Sequence, residues 1–161
     1  MTQFRRRFQL LRYDRADLLG VLLALLLGSA FGALCASFSD AVTELASAGA
    51  FPQPGLLRAW LRCALFPVLL SAALCLRCRL LFWLLYFAKG AAAAFTLWAL
   101  LCSGGLSLLP LLSDTVFLLP FWILLGAVWV GQTDAGPQSL SLLLPALLLA
   151  LLAALLRDLI L

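Results

Sequence analysis

Histidine is absent from the chain, and charge is scarce: 11 Lys and Arg and 7 Asp and Glu are spread over 161 residues. The first absence removes the usual general base near neutral pH and the commonest nitrogen ligand of a metal. It excludes an HExxH zinc site and every nucleophile that depends on an imidazole. No GxxxxGK[ST] loop occurs, so nothing here is built to cradle a nucleotide phosphate. An aspartyl protease in the membrane needs two apposed carboxylates, whereas only Asp114 falls among the later apolar runs. The expectation is a protein that is not an enzyme, with no catalytic residue, no cofactor and no metal.

The shortage of charge excludes something broader. Soluble domains carry about 25% charged and about 45–50% apolar residues; this chain has 11% charged and 65% hydrophobic residues, with a mean hydropathy of +1.13. Too little polar surface exists to coat a globule in water, and burial against lipid is the consistent reading. Cysteine is present but odd in number (Cys35, Cys63, Cys75, Cys78 and Cys102), and each lies in or at the end of an apolar run, where it behaves as a small hydrophobe. Cys75 and Cys78 have CxxC spacing without a second pair or a histidine, so the spacing is read as chance.

The net charge of +4 and pI of about 9.1 do not point to nucleic acid, because five of the eleven basic residues lie in the first fifteen positions, ahead of the first apolar run. That is the arrangement of a cytoplasmic anchor beside an anionic leaflet. Residues 1–16 are therefore expected to be a cytoplasmic basic segment, and 17–161 a single all-α transmembrane domain. Five spans are expected, at about 17–37, 59–76, 80–102, 115–131 and 139–156, since about 20 apolar residues cross a bilayer core. A signal peptide is the rival reading of the first run, but its h-region would be shorter and further apolar runs follow. Pro67 falls inside the second span. Arg58 and Arg62, at i and i+4 on the assigned outer side, run against the positive-inside trend and would snorkel or pair with Asp40 or Glu44. Residues 38–57 make a short outer loop, Arg77-Cys78-Arg79 a tight inner turn and 132–138 an inner polar turn, which leaves the C-terminus outside. The segment near 106–120, with Pro110 and Pro120, is expected to be broken or re-entrant.

Several residues stand out. Gly28 and Gly32 are spaced to admit a second helix closely, and a small-residue block runs from Gly90 to Ala94. Beside it lies Lys89, well inside a span, where a lone ammonium costs about 2.5–3.5 kcal/mol on insertion scales. It either binds a partner's carboxylate or lines a polar path, or else is structural, paired with Asp114 or snorkelling. Asp114 itself, after Ser113, resembles a helix N-cap.

The order Phe87-Ala88-Lys89-Gly90, then Ala94-Phe95, then a Gly-Gly break and Leu112-Ser113-Asp114-Thr115-Val116-Phe117-Leu118-Leu119-Pro120 resembles the stage II sporulation protein M family. That family shows a Lys-Gly-x-x-x-Gly-Phe run followed by Leu-Pro-x-Asn-Leu ending at a proline. Lys89, Gly90, Phe95, Leu112 and Pro120 match it, while Ala94, Ser113, Thr115 and Val116 stand in for glycine, proline, asparagine and leucine. The resemblance covers about residues 58–131, and more loosely the first span around Gly28 and Gly32. It implies a five-span scaffold of spore-forming bacteria that recruits two peptidoglycan-degrading enzymes, the stage II sporulation proteins D and P, during engulfment. The expected partners are thus the lipid bilayer and other membrane proteins. The competing function is a small transporter or permease subunit with its polar path at Lys89, since discontinuous helices near the midplane are where transporters hold substrate.

Overall fold

The computed structural model describes residues 15–38, 56–103, 109–131 and 143–160. Among these the protein is all-helical, without strands. Its five helices are α1 (Arg15–Ser37), α2 (Leu56–Cys75), α3 (Arg79–Ser103), α4 (Leu109–Gly131) and α5 (Leu143–Ile160). Two of them, over Arg15–Ser37 and Arg79–Trp98, are long and apolar enough to cross a membrane. The basic stretch before Arg15, the loop after Phe38 with Asp40 and Glu44, Gly104 and Gly105, and the turn 132–138 lie outside the described residues. The side chains of Arg58, Arg62 and Asp114 lie outside them too.

Helix α4 packs against all four others. Its residues Leu125, Gly126, Ala127, Val128, Trp129 and Val130 are buried in succession, which on a helix means burial on every side. The interior around it is shared by the other helices: Val21 of α1, Phe66 and Leu70 of α2, Phe82 and Tyr86 of α3 and Ala146 and Ala150 of α5 are buried in the same cluster. The most extensive pairing is α1 with α3, followed by α2 with α5. Gly20 meets Trp83, Gly28 meets Phe87 and Gly32 meets Ala91. The partner numbers rise together, so α1 and α3 run parallel.

The interior is small and aromatic, the exterior leucine. On α5, Ala146, Ala150 and Ala154 are fully buried at four-residue spacing, while Leu144, Leu148 and Leu152 are 52–68% exposed. On α1, Gly28, Gly32 and Ala36 face inward, and Leu19, Leu23, Leu26, Leu27, Phe31 and Leu34 are 53–64% exposed. The described Ser and Thr hydroxyls bond within their own helices: Ser29 to the Leu25 carbonyl (2.9 Å), Ser37 to Leu34 (2.8 Å), Ser71 to Val68 (2.7 Å) and Thr96 to Ala92 (2.8 Å).

Two expectations for the region of 106–120 are corrected. From Leu109 onward the chain is one helix, with no break at Pro110 or Pro120. Pro110 is the second helical residue, where the missing amide would have had no partner anyway. Pro120 removes one rung from the middle of a 23-residue ladder, which packing on all sides of the following turns sustains. Asp114 consequently sits inside α4 and is not its cap. The other boundaries differ from expectation by a few residues; Arg15 and Ala16 already belong to α1.

The turn between α2 and α3 is tight, as its length implies. Arg77 donates its amide to the Leu74 carbonyl (3.0 Å) and Cys78 donates to Ala73 (3.3 Å). This is the Schellman pairing, with Arg77 in the left-handed position at φ 50° that glycine normally takes. Only Leu76, Arg77 and Cys78 separate α2 from α3.

Candidate functional site

Helix α3 organises the candidate residues, because successive positions along it meet different neighbours. One face meets α1 through glycine. A Cβ at Gly28 would lie 2.8 Å from the Cα of Phe87, and one at Gly32 would lie 2.6 Å from that of Ala91. From the other side, a Cβ at Gly90 would lie 3.0 Å from both the Leu25 carbonyl carbon and the Ser29 amide nitrogen. The nearest atoms are the carbonyl oxygens of Phe87, Ala91 and Leu25. Each glycine therefore turns a Cα hydrogen toward a carbonyl of the opposing helix, a weak hydrogen bond that only close backbone approach permits. The rings of Phe31 and Phe87 pack beside this crossing at 5.6 Å.

A second face of α3 holds Lys89 and Tyr86. The Lys89 ammonium lies 5.4 Å from the centroid of the Phe66 ring on α2, within the reach of a cation–π interaction. Phe66 meets Tyr86 edge-on at 5.2 Å and Trp122 at 6.0 Å, and Phe121 meets Trp122 at 5.0 Å. Tyr86 is fully buried. Its hydroxyl donates to the Trp122 carbonyl. The contact ties α3 to the backbone of α4. Gly126 leaves the room: a Cβ there would lie 2.7 Å from Tyr86 Cε2. The indole nitrogens of Trp60 and Trp129 are buried without a hydrogen-bond partner.

The seven residues singled out from the sequence thus divide. Gly28, Gly32 and Gly90 come together in the α1–α3 crossing. Lys89, though adjacent to Gly90, meets α2 instead. Phe95 is half-buried on α3 and Pro120 exposed on α4, while the backbone atoms nearest the glycines belong to Leu25, Phe87 and Ala91. Phe66, Tyr86, Trp122 and Gly126 were not singled out. A signal for them exists: Tyr86 and Lys89 are three apart on one helical face. Phe66 and Tyr86 also stand ten and eight residues from a three-residue turn, hence level across the hairpin.

Cys75 and Cys78 are exposed free thiols flanking the turn. Two thiolates make half of a zinc site, and among the described residues no third His, Cys, Asp or Glu joins them. Comparison of the chain with protein-family models, with curated proteins and with solved structures found no match.

Proposed function

We propose that the chain is a five-span integral-membrane scaffold, with its N-terminus in the cytoplasm and its C-terminus outside, that holds other envelope proteins together and catalyses nothing. The parallel run of α1 and α3 carries this reading. Two candidate spans side by side and pointing the same way oblige the chain to return from Ser37 to Arg79. Helix α2, 20 residues long and about 30 Å in length, makes that return. Helices α4 and α5, at 23 and 18 residues, reach about 27–35 Å. An exterior of half-exposed leucines over small buried residues supports the same conclusion. In water it would be one aggregating patch, whereas in lipid it is the ordinary arrangement.

The scaffold reading is favoured over a transporter by the way the interior is filled. Aromatic rings interlock between α2, α3 and α4, the Lys89 ammonium lies over one of them, and the described Ser and Thr hydroxyls are tied to their own helices. The resemblance to stage II sporulation protein M supplies the partner class, enzymes that degrade peptidoglycan during engulfment.

Cysteines introduced into 38–57, 103–106 and 132–138 test the topology. The first two loops should label from outside and the third only after permeabilisation; a third loop labelled from outside overturns five spans. Detergent pull-down should then recover a cell-wall hydrolase, and deletion should impair engulfment. Reconstituted vesicles that take up substrate, and lose uptake on Lys89→Met, would replace the scaffold with a transporter.

A further inference from the structure

Because α1 and α3 are parallel and in register, their first residues are brought to one end of the molecule. Gly28 meets the backbone of Phe87, and Gly90 that of Leu25 and Ser29; counted back from this crossing, Arg15 and Arg79 fall within about one to one and a half turns of each other, at the same end of adjoining helices. Arg77 leads into α3 from the turn just ahead of it. All three are exposed. Within about two turns of them the surface is leucine: Leu19 and Leu23 on α1 and Leu80 and Leu84 on α3, with Leu76 in the turn beside Arg77, each 56–70% exposed. The Trp83 indole lies over Gly20 at the same level, the depth at which tryptophan anchors to a headgroup layer.

We propose that this end of the α1–α3 pair is a binding site for the headgroup of an anionic diacyl phospholipid, with Arg15, Arg77 and Arg79 around the phosphate and the leucines against the acyl chains. Charge complementarity selects the headgroup, since guanidinium groups bind phosphate through paired hydrogen bonds. The leucine surface continuous with the arginines selects a lipid over free phosphate. The site rests on the membrane-spanning reading above, and it adds that the bilayer beside this end of the α1–α3 pair is sorted by headgroup.

The test uses the full chain in vesicles of phosphatidylcholine doped with spin-labelled lipid, comparing phosphatidylglycerol with phosphatidylcholine as the probe. The motionally restricted lipid should favour phosphatidylglycerol about fivefold, the factor that about 1 kcal/mol gives. In Arg15→Gln/Arg77→Gln/Arg79→Gln the preference should fall to near one, and the three Arg→Lys changes should keep part of it. Labelling of Cys75 and Cys78 from one unchanged side shows that orientation is preserved. Restricted lipid without headgroup preference overturns the site and leaves the spanning reading intact, whereas no restricted lipid overturns that reading itself. Two further results also overturn the site. One is a preference lost in Arg5→Gln/Arg6→Gln/Arg7→Gln but kept in the first variant. The other is a preference abolished by inorganic phosphate and not by chloride of equal ionic strength.

Discussion

Replacing Gly28 with alanine adds one methyl group, and at the α1–α3 crossing that is enough to matter. The new carbon would lie 2.7 Å from the Phe87 carbonyl carbon and 2.8 Å from its Cα, against about 3.5–4.0 Å for carbon atoms at rest. The obstacle is backbone, so no side chain can rotate away and the helices must part by close to an ångström. Overpacking of this sort costs about 1–3 kcal/mol, and the Cα–H···O contact to Phe87 adds about 0.5–1 kcal/mol. Alanine's better helix propensity returns about 0.8–1.0 kcal/mol, which leaves a net loss of about 0.5–3 kcal/mol. Gly20→Ala is the control within the same interface. There the new carbon meets the far edge of the Trp83 indole, with Cζ3 at 2.7 Å, and a half-buried ring can swing aside. It should be neutral or slightly stabilising. Unfolding of the purified chain in mixed micelles over a series of SDS mole fractions, followed by tryptophan fluorescence, measures both. A Gly28→Ala protein as stable as the parent, or less affected than Gly20→Ala, would refute the claim that backbone contact sets the crossing.

Three further outcomes can be read in the same titration. Tyr86→Phe should lose about 0.6 kcal/mol, the average for side-chain hydrogen bonds between helices in lipid, and at most about 1.7 kcal/mol; an unchanged midpoint would mean that the bond to the Trp122 carbonyl contributes nothing. Arg77→Gly should stabilise by about 1 kcal/mol, since it removes a side chain from a left-handed position; a loss of stability would place Arg77 in an attractive contact that outweighs the strain. Ala150→Leu should destabilise by about 1–3 kcal/mol while Leu148→Ala, on the exposed side of the same helix, changes little; the reverse order would turn α5 around.

Much of this architecture is legible in the chain because hydropathy reports burial and length together. The five helices lie where runs of Leu, Ala, Val and Phe do, and the break at Arg77-Cys78-Arg79 is visible as the only polar interruption between two of them. The glycine crossing is legible in part: Gly28-xxx-Gly32 and Gly90 each announce close approach, but which surface meets which requires the register of α1 on α3. The segment from Leu109 to Pro120 is hard to read because two prolines in one short stretch, unlike the lone Pro67 of α2, suggest a break. A proline's effect depends on position, nil at the second residue of a helix and one lost rung at the twelfth. Phe66 and Tyr86 were hidden by their type, since an aromatic in an apolar run looks like every other hydrophobe until the hairpin sets it opposite a partner.

The division of labour around α3 explains why Lys89 and Gly90 stand together. Each step along a helix turns the side chain by about 100°, so adjacent residues serve different neighbours. Trp83, Phe87, Gly90 and Ala91 address α1, Tyr86 and Lys89 address α2 and α4, and Leu84, Ala88 and Ala92 are exposed. A wall shared by three environments needs a small residue where backbones touch and can hold a charge only where a ring lies across from it. Exchanging the two residues would defeat both requirements: a lysine at 90 would strike the Leu25 carbonyl, and a glycine at 89 would leave Phe66 facing a gap. The pairing of a cation with a glycine is therefore a consequence of where α1 and α2 lie, and the two residues can be perturbed separately. Gly90→Ala should loosen α1 without disturbing the Lys89–Phe66 contact. The cation–π coupling, measured by a Lys89→Met/Phe66→Leu double-mutant cycle at about 0.5–2 kcal/mol, should be the same in the Gly90→Ala background as in the parent. A coupling that vanishes there would show α3 responding as a single unit, with the lysine and the glycine belonging to one site after all.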